Sequence, residues 1–167
     1  MAAVLVSSGC QYFSPRQVST NYNLPLNVFL RLDPSIGAAA LEYHNACGQS
    51  VTLPIHEPLA AELKKRMEQV FERVVIQPES SSETLDGVVD VALGLRQVDL
   101  FVVRKANKSY PATVTLGLDV AYTEPQGTVL HSKKLQSVTT GEVDARAETC
   151  DLSGLDKVAK AVIATVV

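Results

Sequence analysis

Val89-Asp90-Val91-Ala92-Leu93-Gly94-Leu95-Arg96 is the stretch that decides the fold. Large apolar side chains occupy every second position of it, and polar or small side chains lie between them. This period of two is typical of a strand with one buried and one solvent-facing side. The apolar set then reappears with shifted parity, at Val98, Leu100 and Val102. A β-bulge near Arg96-Gln97 is the simplest cause of this shift, so we predict one long, bulged strand.

A second stretch with the same period follows in the chain. Its apolar face consists of Ala112, Val114, Leu116, Leu118, Val120 and Tyr122. The next four residues, Glu124-Pro125-Gln126-Gly127, have proline second and glycine fourth, which is the preference of a type I turn. The turn predicts a long antiparallel hairpin that continues from Thr128 through Val138.

The earlier part of the chain contains shorter extended segments. Val28 to Leu32 reads as a strand that ends at Asp33-Pro34, because a residue before proline is pushed out of the helical region and Asp favours turns. Two further strands, 40–44 and 50–55, flank Asn45-Ala46-Cys47-Gly48-Gln49. That linking segment indicates a hairpin turn.

Two segments have the period of a helix. The first begins near Pro58, and the side chains at its apolar spacing are Leu59, Leu63, Met67, Val70, Phe71 and Val74. Its other face has opposite charges four residues apart, Glu62 with Arg66 and Lys64 with Glu68. The second helix follows Ser153-Gly154-Leu155-Asp156, which resembles a capping box with Asp in place of Glu. Its apolar face is Leu155, Val158, Ala159, Val162 and Val166.

Runs of strands interrupted by two helices predict an α+β fold. We expect an antiparallel β-sheet with two α-helices packed on one face. Residues 27–167 are predicted to form the single folded domain. Residues 11–26 are polar and contain two prolines, which indicates a tether.

Composition limits the classes of function. The 167-residue chain is 46% hydrophobic and 20% charged, which suits one domain with a substantial core. A net charge of −3 gives no indication of nucleic-acid binding, which requires clustered Lys and Arg. The chain has no apolar window of about 18 residues, so no membrane-spanning helix is expected.

The first ten residues, Met-Ala-Ala-Val-Leu-Val-Ser-Ser-Gly-Cys, resemble the end of a bacterial lipoprotein signal. Small residues precede Cys10, as in a lipobox, and no charge lies upstream. Ser7 stands where that motif usually has Leu, and the basic start of a secretory signal is missing. We therefore interpret residues 1–10 as a truncated signal with Cys10 as the site of lipid attachment. The alternative is a disordered tail with an incidental cysteine.

The sequence contains no recognisable catalytic motif. Neither G-x-S-x-G, nor a P-loop, nor G-x-G-x-x-G occurs. His44 and Cys47 have a spacing that could supply two metal ligands, but no second pair follows. We expect no enzyme activity, no metal and no cofactor. Asp90, Asp99 and Asp119 are interpreted as solvent-facing members of their strands.

The three cysteines bear on the cellular compartment of the protein, because a disulfide persists mainly in an oxidising environment. If one carries lipid, Cys47 and Cys150 remain to form a disulfide, which would be stable in an oxidising periplasm. The alternative is a pair of free thiols in a cytosolic protein.

The body from about Asn27 onward, with Cys10 before it, resembles small envelope lipoproteins. Two such families are the lipopolysaccharide-assembly lipoproteins (LptE-like) and the auxiliary lipoproteins of ABC-type transport systems. The resemblance implies a non-catalytic protein in the periplasm, anchored by lipid to the outer membrane. Its partner would be an outer-membrane barrel or a transport complex, and it would support lipopolysaccharide or lipid transport. The alternative is a soluble α+β ligand-binding domain, or a small enzyme, with its pocket between helices and sheet.

Overall fold

A computed structural model describes residues 23–76, 84–103 and 107–167. The predicted signal and Cys10 lie outside these residues. The elements in chain order are β1 (Leu24–Leu32), α1 (Pro34–Gly37), β2 (Ala40–His44), β3 (Ser50–Pro54), α2 (His56–Val70), β4 (Phe71–Val75), β5 (Gly87–Leu100), β6 (Lys108–Thr123), β7 (Val129–Arg146), β8 (Asp151–Ser153) and α3 (Leu155–Val166). β1 begins within the last residues of the predicted tether.

The main sheet has six strands in the order β4-β1-β5-β6-β7-β8, and β2 and β3 form a separate hairpin. β1 pairs in parallel with β4 and β5, whereas the pairs from β5 to β8 are antiparallel. The predicted α+β class is therefore confirmed, but the sheet is mixed and not purely antiparallel, and the predicted packing of two helices on one face is not confirmed. A third, short helix, α1, was also not predicted.

β4 is the element that makes the sheet mixed. Phe71 and Val74 continue the apolar spacing of α2, which is why the sequence placed them on the helix. The backbone instead becomes extended at Phe71 (φ −110°, ψ 149°), and Val74 pairs with Val28 of β1. Three consecutive β-branched residues, 74–76, favour the strand. Pairing with β1 thus outweighs the local helical spacing.

The predicted bulge in β5 is confirmed. Leu93 lies opposite Leu118 and Arg96 opposite Leu116, so two residues of β5 face Gly117 alone. A Cβ at Gly117 would lie 3.1 Å from the backbone nitrogen of Leu95. Glycine at this position therefore lets the bulged backbone approach β6 closely.

The hairpin of β6 and β7 is longer than predicted. Its turn is confirmed, since the Gly127 amide donates to the Glu124 carbonyl at 2.8 Å. Gly127 has φ +93°, a conformation that favours glycine. β7 continues eight residues past the predicted end, to Arg146. β8 then pairs only with its last residues, 144–146.

One hydrophobic cluster joins the elements. It contains side chains of β1, β5, β6 and β7, together with side chains of all three helices and of β2. α2 contributes Leu59 and Leu63, while Val70 at its end is exposed. The predicted apolar face of α3 is buried throughout, with Ile163 in addition. Within the described residues, no helix is long and apolar enough to cross a membrane.

The start of α3 differs from the prediction. Gly154 is the N-cap, in a left-handed conformation with φ +98°, and no side chain caps the helix. The capping-box interpretation is wrong because Ser153 is already the last residue of β8. The chain must turn within one residue from strand to helix, and glycine adopts that conformation at little cost.

Candidate functional site

A groove of about 600 Å³ lies on the side of the main sheet that faces away from the core. Strands β1, β5, β6 and β7 supply most of its lining, and Asp33 and Pro34 at the start of α1 complete it. We call it the outer groove, and its lining residues are Arg31, Leu32, Asp33, Pro34, Asp90, Val91, Ala92, Asp119, Val120, Ala121, Ser132, Lys133 and Lys134. The sequence-based alternative expected a pocket between helices and sheet. The outer groove is instead lined mainly by strand residues, with Asp33 and Pro34 at the start of α1.

Strand register places the polar side chains of the groove in two rows. In the first row Arg31 is opposite Asp90, Asp90 opposite Ala121, and Ala121 opposite Ser132. In the second row Ala92 is opposite Asp119, and Asp119 is opposite Lys134. The small side chains of Ala92 and Ala121 lie diagonally between the charges. They make the floor of the groove, because a larger side chain at either position would fill it.

The first row contains a bidentate ion pair. Arg31 Nε donates to Asp90 Oδ1, and Arg31 Nη2 donates to Asp90 Oδ2 at 2.9 Å. The Thr123 hydroxyl donates to Asp90 Oδ2 at 3.5 Å. The hydrogen bond and the charge of Asp90 raise the pKa of Arg31. The pair is fixed in orientation by two strands, so it presents a constant pattern of charge.

The second row is more open. Lys134 Nζ lies 3.7 Å from Asp119 Oδ1, and the Lys134 side chain is 88% exposed. This ammonium group is therefore free to turn toward a ligand at little cost in lost attraction. The two rows together present two carboxylates and two cations over an alanine floor. Such a surface is suited to a ligand or peptide segment that carries both signs of charge.

At one end of the outer groove, Asp33 is the N-cap residue of α1. Its carboxylate accepts from the Ser35 amide at 2.8 Å, and this hydrogen bond lowers the pKa of Asp33. The Ser35 hydroxyl accepts from the Leu93 amide at 3.0 Å. The turn 33–35 is thereby tied to β5 beside the groove.

The predicted cysteine pair lies elsewhere. Cys47, in the turn between β2 and β3, is joined by a disulfide to Cys150, with 5.1 Å between their Cα atoms. Cys150 precedes β8 and has a positive φ of 58°. The bond fastens the β2–β3 hairpin to the end of β7.

The spacing of His44 and Cys47 suggested two possible metal ligands. Cys47 is engaged in the disulfide, so it cannot ligate a metal beside His44 as a thiolate. Among the described residues no group of three His, Cys, Asp or Glu side chains could hold a metal ion. The three strand carboxylates that the sequence assigned to solvent all have partners. Asp90 pairs with Arg31, Asp119 with Lys134, and Asp99 accepts from Gln97 at 2.7 Å.

Sequence reasoning did not identify the outer groove. Its signal was present in part, since Ala92 and Ala121 occupy solvent-facing strand positions where larger polar residues are usual. Their adjacency depends on which strands are neighbours and in what register, and periodicity alone does not give either.

The fold is similar to that of several solved structures. Protein XCC0632 from Xanthomonas campestris, of the DUF330 family, is similar over 86% of this chain and 80% of its own, with a TM-score of 0.55 and 8% identity. A candidate neuraminyllactose-binding hemagglutinin homolog from Helicobacter pylori is similar over 87% of this chain and 81% of its own, with a TM-score of 0.50 and 11% identity. A minor lipoprotein from Acinetobacter baumannii covers 86% of each chain with a TM-score of 0.48 and 9% identity. At these identities the likeness concerns the fold.

No protein-family model and no curated protein sequence matches the chain.

Proposed function

We propose that this protein is a lipid-anchored component of the bacterial envelope that acts by binding, without catalysis. The anchor is Cys10, the folded body is exposed to the periplasm at the outer membrane, and the outer groove holds a segment of a partner. The partner is an outer-membrane barrel or a transport complex that moves lipopolysaccharide or other lipid. The observation that carries the proposal is the disulfide between Cys47 and Cys150.

The disulfide bears on the compartment because such bonds persist in oxidising environments and are rare in the cytosol. Its two cysteines are 103 residues apart in sequence. They lie in two separate turns, so their proximity results from the whole fold and not from a local motif.

A binding role is supported by the content of the outer groove. Among its described lining residues there is no histidine and no cysteine; Asp90 and Asp119 are paired with cations, and Asp33 accepts from the Ser35 amide. A general acid or base requires a group whose protonation changes near the working pH. Paired, half-exposed carboxylates on a sheet surface are better suited to recognition of charge than to proton transfer.

Lipid attachment is tested by metabolic labelling with palmitate in a bacterial host, with the protein expressed from its natural gene. Wild-type protein should incorporate label and fractionate with membranes, whereas Cys10→Ala should do neither. Cys47→Ala is the matched control and should keep the label. Label on Cys10→Ala, or none on wild type, would overturn the anchor.

The compartment is tested separately by mass spectrometry of protein isolated without reductant. We expect the peptides that contain Cys47 and Cys150 to be linked. Free thiols at both positions in protein taken from cells would contradict a periplasmic location.

The outer groove also favours a second candidate, a soluble ligand-binding domain without an anchor. An unlabelled wild-type chain that is released with the soluble fraction, yet retains the linked cysteines, would support this candidate over the first.

A further inference from the structure

One long edge of the main sheet is open. β7 pairs with β6 along its length, but on its other side β8 pairs only with residues 144–146. Among the described residues no strand pairs with Val129 to Val143 on that side. Every second residue of this segment presents its amide and carbonyl to the open edge, which makes the edge a template for another strand.

The charges along this edge are separated by sign. On the open segment the cations Lys133 and Lys134 lie in the first half and Glu142 lies in the second half, whereas Asp144 and Arg146 lie beyond it, beside β8. Lysines alone on an edge discourage pairing with other chains. When a strand with this pattern meets a second copy of itself in antiparallel orientation, however, the basic half of each lies beside the acidic half of the other.

We propose that two copies of this chain pair through their β7 edges, antiparallel and about a two-fold axis at Val138, to form one continuous sheet. This arrangement is isologous, as in most homodimers. With Val138 opposite its own copy, Lys134 lies opposite Glu142 of the second copy, and Gln136 lies opposite Thr140. All these side chains are on the side of the sheet that bears the outer groove, because they share the parity of Lys134.

The exposure of Val138 supports this register. Val138 is 58% exposed, which is unusual for an apolar residue in the middle of a strand, and the pairing would bury it against itself. The paired segment, 134–142, ends at Glu142, whose carbonyl lies beside Gly154, and β8 occupies the edge from residue 144 onward. Lys134 lies 3.7 Å from Asp119 of its own chain and could contact both carboxylates at once.

The first test measures molecular mass by sedimentation equilibrium in a Cys10→Ala background, which removes both lipid and an additional thiol. We expect a concentration-dependent species of twice the 18.0 kDa chain mass. Val138→Arg places two cations together at the axis and should weaken association at least about tenfold. Val129→Arg is the control, since Val129 is also 58% exposed on β7 but lies outside the paired segment.

A charge exchange tests the register. Lys134→Glu and Glu142→Lys should each weaken association, and the double variant should restore it. Circular dichroism of every variant establishes that the fold is retained.

Cysteine cross-linking tests the proposed pairing of the two β7 edges even if a charged variant fails to fold. Directly opposed residues in an antiparallel pair have Cα atoms about 4.5–5.5 Å apart, within reach of a disulfide. Val138→Cys in the Cys10→Ala background should give a covalent dimer with oxidised glutathione, whereas Val129→Cys should not. A monomer at all concentrations, or equal cross-linking at both positions, would overturn the proposal.

Discussion

The two sides of strand β6 differ in what holds them. On the core side Ala112, Val114, Leu116 and Leu118 are buried completely or nearly so. On the other side the strand carries Thr113, Asp119 and Ala121, which contact polar neighbours and the outer groove. Both sets come from one continuous strand with one backbone. The difference arises from what covers each side, because the core-side residues pack in one cluster with residues of all three helices.

This difference separates stability from recognition. Apolar burial contributes about 25 cal/mol per Å², so the core side accounts for most of the folding free energy. Exposed ion pairs contribute about 0–1 kcal/mol each. Ligand binding can therefore rearrange the charged side chains of the outer groove without unfolding the protein, because the folding free energy depends little on their ion pairs.

The largest expected loss of stability comes from removing the disulfide that holds the β2–β3 hairpin. The β2–β3 hairpin supplies Leu41 to the core, and the disulfide fastens this hairpin to the end of β7. Replacing both Cys47 and Cys150 by Ala should lower the free energy of unfolding by about 4 kcal/mol, since the bond closes a loop of about 100 residues. Urea unfolding followed by circular dichroism measures this.

Wild-type protein treated with reductant is the control for that double variant. The two should unfold at the same urea concentration. A double variant as stable as oxidised wild type would show that the hairpin is held by its packing, and that the disulfide adds nothing.

The next effect contrasts the two sides of β6 directly. Leu116→Ala removes a side chain with 0% exposure and should cost about 3 kcal/mol, through lost burial and the cavity left behind. Thr113→Ala, on the other side of the same strand, removes a hydroxyl contact of 2.9 Å with Thr140 and should cost about 1 kcal/mol or less. Equal losses in urea unfolding would contradict the separation of the two sides.

The sequence predicted the core side of this sheet well and the outer side poorly. Alternation from Val89 onward located β5, its bulge and β6, because a buried strand must repeat every two residues. β4 was missed because Phe71 and Val74 satisfy helical spacing as well, and only pairing with β1 decides between the two. Parallel pairing of β1 with β5 joins residues 59 apart, such as Arg31 and Asp90. The groove that depends on this pairing was for the same reason not predictable from local pattern.

The third prediction concerns how much the ion pair between Arg31 and Asp90, on the outer side of the sheet, contributes to stability. Arg31→Met, Asp90→Asn and the double variant form a cycle that isolates the coupling of the ion pair. The Arg31 side chain is 58% exposed and that of Asp90 28%, so solvent screens the attraction. We expect a coupling of about 1 kcal/mol or less, reduced further in about 1 M salt. A coupling well above this value that does not change with salt would make the groove part of the stabilising structure.

The smallest expected effect concerns Asp33, which lines the outer groove and is the N-cap residue of α1. A hydrogen bond from the Ser35 amide lowers the pKa of Asp33 in the folded chain. Because the folded-state pKa is below the unfolded value, the stabilisation is fully present above the unfolded pKa, near 3.9. It is lost as the pH falls through the folded-state pKa. Asp33→Asn keeps an oxygen acceptor but does not titrate in this range. The Tm of wild type relative to Asp33→Asn should therefore fall as the pH is lowered from 6 to about 2, since the other carboxylates titrate in both proteins and cancel. A Tm difference that does not vary with pH would show that the charge of Asp33 contributes nothing to the cap.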